Sequence, residues 1–180
     1  VDKWRREMIP EIKKILYATD FSHNSSYAFL YAIDMALKRD AKIVILHAIP
    51  PIPADVMARL EIIDDQRVLE RARLKGPKED KELIKNRVQE FCKKMEAQIG
   101  SSCPELITKI VVSFGHPVDE ILKTADEEGC DMIVLGNHGK GFLSHTFLGS
   151  VSSGVLHRTR KPVFMIPLPS GKDAIELGEM

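Results

Sequence analysis

Neither sign of charge prevails in this chain. Its 26 lysines and arginines are matched by 26 aspartates and glutamates. No overall field therefore draws in nucleic acid or an anionic membrane, although a local basic patch stays compatible with that balance. Cysteine is scarce: Cys92, Cys103 and Cys130 are far apart and odd in number, which excludes a CxxC redox pair and paired metal-ligand spacing. Zinc would need closely spaced histidines or a cysteine partner, and neither occurs. No apolar run reaches membrane-spanning length. The chain opens without the basic start, apolar segment and small-residue cleavage site of a secreted protein. A reducing, cytoplasmic setting is the expectation.

Two phosphate-binding signatures are also missing. No Gly-Lys-Ser/Thr run follows a glycine loop, so there is no Walker A motif. The first strand leads into Thr19-Asp20-Phe21-Ser22 rather than a glycine loop, which sets aside the usual dinucleotide fold. Internal repeats and low-complexity stretches are absent.

What remains is an ordinary globular composition, 44% hydrophobic and 29% charged over 180 residues, enough for one domain with its own core. The core is expected over about 12–167, with a charged insertion at about 50–80 and a loose tail at 168–180. The opening residues, with Trp4, Met8 and Ile9, read as a loose wrap.

Strand signals alternate with helix signals along this core. Lys14 to Thr19, Ile43 to Leu46, Leu106 to Phe114, Met132 to Leu135 and Val163 to Ile166 are β-branched or continuously apolar, as strands covered on both faces should be. Between the first two lies a helix capped by Ser22 or Asn24, with Phe29, Ile33, Ala36 and Leu37 inward. Pro50, Pro51 and Pro53 then stop regular structure. Residues 54–80 are ambiguous, with a break at Gly76-Pro77, and 79–99 read as a helix on Leu83 or Ile84, Val88, Phe91 or Cys92, Met95 and Ile99. Pro117 starts a helix with Val118, Ile121, Leu122 and Ala125 inward, closed by Gly129. Leu148, Val151, Val155 and Leu156 mark the inner face of the last helix, which ends in basic residues before Pro162. The alternation predicts an α/β fold: a doubly wound, five-stranded parallel sheet with helices on both faces and right-handed crossovers.

Such sheets bind ligands beyond the C-terminal ends of their strands. Asp20, Gly115 and Gly136 fall at those ends. The stretch Asp131 to Ser152 reads as strand, glycine loop and helix N-terminus, an arrangement that offers unpaired backbone N–H groups to an anion. Gly136 and Gly139 alone could be turn residues; Gly149-Ser150 at a following helix start adds weight to a phosphate reading. Ser150 and Ser152 can each add a hydroxyl. Asp20 is either a helix-capping carboxylate or an acceptor for ribose hydroxyls. His47 is expected to pack with one ring nitrogen bonded to backbone. His116 precedes a proline at a strand end. His138 and His145 flank the loop, where ordinary loop histidines are the plainer reading and contact with phosphate the alternative.

Five segments together resemble the universal stress protein family: Ile15 to Ser22, Leu46 to Ile49, Gly115-His116-Pro117, the Gly136-x2-Gly139-x9-Gly149-Ser150 pattern, and Lys161 to Pro167. They occur in that family's order and spacing across nearly all of 12–167, and the glycine pattern resembles the branch that binds ATP. The resemblance implies an adenine nucleotide alpha hydrolase-like fold. It implies that Ala18, Thr19 and Asp20 border adenine and ribose, that Ala48 contacts adenine, and that Leu135 and Gly136 pass beneath the nucleoside. Gly139, Gly149, Ser150, Val151 and Ser152 would hold the phosphates of ATP, or of ADP or AMP, with Mg or Mn bridging them and water completing the metal's shell. It implies a homodimer through 163–166, which would also cover an apolar edge strand. The insertion and the tail depart from minimal members of the family.

No base and nucleophile pair stands out, because Asp20 is committed to ribose under this mapping and Ser150 has no evident activating partner. The expected function is an ATP-binding stress-response regulator whose occupancy alters the loop 137–148 or the dimer. A slow metal-dependent ATPase, an AMP-forming transferase on a related fold and a structural dimer without nucleotide are the alternatives.

Overall fold

A computed structural model describes residues 10–51, 77–99, 103–137 and 148–167. The expectations for 1–9, for most of the 50–80 insertion, for His138, Gly139 and His145 and for the tail lie outside these residues. The elements in chain order are β1 (Lys14–Ala18), α1 (His23–Arg39), β2 (Lys42–Ile49), α2 (Pro77–Ile99), α3 (Cys103–Leu106), β3 (Ile107–Phe114), α4 (Pro117–Glu127), β4 (Met132–Gly136), α5 (Ser150–Arg158) and β5 (Val163–Ile166). The five strands form one sheet in the order β3-β2-β1-β4-β5, and every neighbouring pair is parallel. The expected five-stranded, doubly wound architecture is therefore what the chain adopts.

Strand periodicity divides the core into two layers. Ile15, Tyr17, Ile43, Ile45, Met132 and Val134 point to one face, against Phe29, Ile33 and Ala36 of α1 and Ile84, Val88 and Phe91 of α2. Leu16, Val44, Leu46, Ile133 and Leu135 point to the other, against Val118, Ile121 and Ala125 of α4 and Val155 of α5. β1 lies in the middle, and its Ile15, Leu16 and Tyr17 are fully buried. Burial of each such side chain is worth about 1.5–3 kcal/mol.

The helix ends follow from local chemistry. Ser22 caps α1 by accepting from the Ser25 N–H at 3.3 Å, which decides between Ser22 and Asn24. Pro117 opens α4, with Asp119 and Glu120 in its positive first turn. Gly129, at φ +60°, follows its last turn. Three inward assignments do not hold. Leu37 is 46% exposed because Ala36 takes the core position in the last turn of α1. Leu148 precedes α5 and is exposed, and Leu156 is 41% exposed, so Ser152 and Val155 form the buried face of that helix instead. Leu106 ends the short α3 rather than beginning β3. Of the paired alternatives on α2, Ile84 is buried and Leu83 exposed, while Phe91 and Cys92 are both buried.

Candidate functional site

In this order the connection from β1 runs to β2 on one side, while β4 pairs with β1 on the other. A crevice opens where the connections part, at the C-terminal ends of β1 and β4. It is a cavity of about 490 Å³, large enough for a small organic ligand. Ala18, Thr19 and Asp20 enter it from the end of β1, Ala48 from β2, Leu135 and Gly136 from β4, and Gly149, Ser150, Val151 and Ser152 from the start of α5. Ten of the eleven nominated residues thus share one cavity; Gly139 lies outside the described residues. Leu46, Pro50, Pro117 and Ile121 add an apolar wall that sequence reasoning did not nominate. Pro117 was legible as a helix start and as part of the Gly115-His116-Pro117 segment, and Ile121 only as core.

The β1 side of the cavity is built from interlocked hydrogen bonds. The Asp20 carboxylate accepts from the Ser22 N–H at 3.0 Å and from the Ser22 hydroxyl at 2.6 Å, which pins it at the end of the strand. It supports the cap residue without being the cap itself. The Thr19 hydroxyl donates to Ser25 Oγ at 3.0 Å and accepts from the Phe21 N–H at 3.1 Å. Ser25 Oγ donates onward to the Ser22 carbonyl at 2.8 Å. The Thr19 and Ser25 hydroxyl protons are thus engaged within the protein. Below them the Tyr17 hydroxyl donates to the Ser25 carbonyl, and burial pushes its pKa far up, so it stays a protonated donor.

His47 lies in the same wall. Its Nδ1 is 2.8 Å from the Thr19 carbonyl, which can only accept, so Nδ1 is the donor of this bond. The expected backbone bond is therefore present. Phe21 packs on the imidazole with ring centroids 4.4 Å apart, held there by a left-handed backbone at φ 59°. A buried aromatic residue in that region is strained.

The α5 side is different. Gly149 is the N-cap and makes no side-chain capping bond, and no acidic residue stands in the first turn. The first intrahelical bond runs from the Ser153 N–H to the Gly149 carbonyl at 2.9 Å. The N–H groups of Ser150, Val151 and Ser152 stand ahead of it, in residues that line the cavity. The Gly149 N–H is already committed to the Asn137 carbonyl at 3.0 Å. Ser152 is buried, and its hydroxyl donates to the Gly136 carbonyl at 2.9 Å, with the Asn137 carbonyl at 3.2 Å.

Side-chain charge is sparse here. Asp20 is the one carboxylate among the described lining residues, and none of them is lysine or arginine. Among the described residues no cluster of histidine, cysteine and carboxylate side chains could hold a metal ion. Cys130, at the opposite end of the sheet, is buried with its thiol pushed up to about 11 by desolvation, and so is protonated at neutral pH. Among the described residues no helix is long and apolar enough to cross a membrane.

The model of the universal stress protein family matches residues 11–167. The chain belongs to this family. Universal stress protein MJ0577 of Methanocaldococcus jannaschii is 29% identical over 166 residues, covering 86% of this chain and 94% of its own length. A solved structure of MJ0577 superposes with a TM-score of 0.58 at 26% identity, over 90% of this chain and all of that one. The universal stress protein UspA of Lactobacillus plantarum shares the fold, with a TM-score of 0.62 at 20% identity over 88% of this chain and 99% of its own. A universal stress protein solved in complex with cAMP has a TM-score of 0.50 at 23% identity, covering 88% of this chain and 98% of that protein.

Proposed function

We propose that this universal stress protein is a regulatory protein that binds an adenine nucleotide, ATP foremost, in the crevice between β1, β4 and α5. One observation carries the reading: a cavity at the switch point of the sheet is lined both by a pinned carboxylate, Asp20, and by an uncapped helix N-terminus, Ser150 to Ser152. The two differ in what they attract. A carboxylate accepts from sugar hydroxyls, whereas forward-pointing N–H groups and the helix dipole favour phosphate oxygens. The apolar wall of Leu46, Pro50, Pro117, Ile121 and Leu135 suits the flat face of a base, next to Ala48.

In this mapping Ala18, Thr19 and Asp20 border the nucleoside, Leu135 and Gly136 pass beneath it, and Gly149, Ser150, Val151 and Ser152 hold phosphate together with Gly139. Since the described lining carries no lysine or arginine, a phosphate chain would bring a divalent cation, Mg or Mn, held by its own oxygens and water. That cation supplies charge neutralisation. The protein acts as a cytoplasmic homodimer through β5, and occupancy of the crevice is its signal. The glycine pattern resembles the ATP-binding branch, and because backbone donors recognise a phosphate without counting the chain, ADP and AMP fit the same mapping.

The test is release of small molecules from denatured, freshly purified protein, then calorimetric titration of emptied protein with ATP and magnesium, AMP, cAMP and adenosine. ATP is expected to bind at micromolar strength, with Gly149→Leu weakening it at least about tenfold by crowding the N–H groups. Asp20→Ala is expected to weaken adenosine as well as ATP. Absence of binding by every adenine compound would remove the proposal, and sustained phosphate release from bound ATP would move the protein into the enzyme class.

A further inference from the structure

We infer that Ser152 is a positioning residue: its hydroxyl latches α5 to the end of β4, so that the helix amides face the crevice. This rests on the phosphate reading above and assigns the Ser152 side chain a task other than touching phosphate. Ser152 is 4% exposed and sits in the first turn of α5. Its single hydroxyl proton is directed at the Gly136 carbonyl, 2.9 Å away, with the Asn137 carbonyl beside it at 3.2 Å. With that proton turned toward β4, the donor left for a ligand at this position is the backbone N–H.

Asn137 makes the latch rigid. Its N–H donates to the Ile166 carbonyl of β5 at 2.8 Å, and its own carbonyl accepts from the Gly149 N–H at 3.0 Å. One residue therefore joins the edge strand, the end of β4 and the cap of α5. Among the described residues, removing the Ser152 hydroxyl leaves the Gly149 N–H as the hydrogen bond between this end of α5 and the end of β4. It also uncovers the Gly136 carbonyl oxygen, the negative end of a dipole, beside the place where an anion would sit. Both effects act on phosphate and neither acts on the nucleoside.

The experiment compares ATP and adenosine binding to wild type, Ser152→Val, Ser152→Thr and Ser152→Ala. Valine and threonine differ by a methyl in place of a hydroxyl at equal shape, so volume is held constant between them. The expected result is a fall in ATP affinity of about tenfold for Ser152→Val and Ser152→Ala. Adenosine affinity stays unchanged, and Ser152→Thr restores ATP binding. Equal ATP binding by the threonine and valine variants would overturn the inference. So would parallel losses of ATP and adenosine, which mark a general structural role. If Ser152→Val does not fold, Ser152→Ala against Ser152→Thr decides in the same way. Failure of the wild type to bind ATP would overturn the phosphate reading itself, and the latch with it.

Discussion

Phe21 and Asp40 share a left-handed backbone, at φ 59° and 50°, and their surroundings give the two strains opposite fates. Asp40 is exposed and closes α1, its N–H bonded to the Ala36 carbonyl. The side chain buries nothing, and its charge stands at the negative end of the helix. Asp40→Gly removes the left-handed penalty and the charge, against some added freedom in the unfolded chain. It is expected to stabilise the protein by about 0.5–1 kcal/mol, readable as a small rise in Tm in thermal unfolding. Phe21→Gly relieves the same dihedral but deletes a ring that is 4% exposed and packed on His47. Truncation of a buried Phe costs about 3–5 kcal/mol against a relief of about 1–2. A net loss of roughly 2 kcal/mol is expected, and equal signs for the two substitutions would refute this account. Neither strain was legible in the sequence, because neither position holds the glycine that usually marks it.

At the scale of elements, the contact between α4 and α5 is set by a missing side chain. A Cβ on Gly154 would lie 2.7 Å from Cγ2 of Val118, a buried, β-branched residue with little freedom to rotate. Gly154→Ala should gain about 1 kcal/mol in helix propensity and lose about 1–3 to overpacking. The expected net effect is destabilising by about 1 kcal/mol. Combining it with Val118→Ala is expected to make the Gly154 change favourable, so a double-mutant cycle in urea should show coupling of opposite sign to the single effect. The same contact explains why periodicity misplaced Leu148 and Leu156. α5 has nine residues, and its buried face is built on a serine and a valine, with glycine where α4 approaches. Hydrophobicity marks a packing face only where large side chains make the contact. In α4, where Val118, Ile121 and Ala125 do so, the inward face was legible.

For the whole molecule, alternation of apolar runs with helical stretches was enough to indicate a parallel sheet, since parallel strands need helical crossovers. The order of the strands was not legible, because β1, β2 and β4 are equally apolar and only packing decides which lies in the centre. The polar ends of the site could be read from Asp20 and the glycines, whose chemistry is local. Its apolar wall could not, because Leu46, Pro117 and Ile121 meet only after folding. β5 forms one edge of the sheet. The bonds from the Ile133 N–H to the Pro162 carbonyl and from the Asn137 N–H to the Ile166 carbonyl fix its ladder, so that Val163 and Met165 turn their amides outward. If the proposed dimer pairs these edges, Met165→Pro removes an outward donor at a site a lone subunit tolerates. Sedimentation is expected to show a shift from dimer to monomer with the thermal transition retained. A dimer unaffected by proline would place the interface elsewhere.

The central place of β1 also carries a consequence for synthesis. Its β2 neighbour follows directly after α1, whereas Ile15, Leu16 and Tyr17 find their other partners only in Met132, Ile133 and Val134. At typical translation rates that interval is on the order of ten seconds. Through it, the central strand of the finished sheet has one side unpaired, an apolar edge open to other chains. The nascent polypeptide thus spends much of its time on the ribosome in the form most in need of a chaperone.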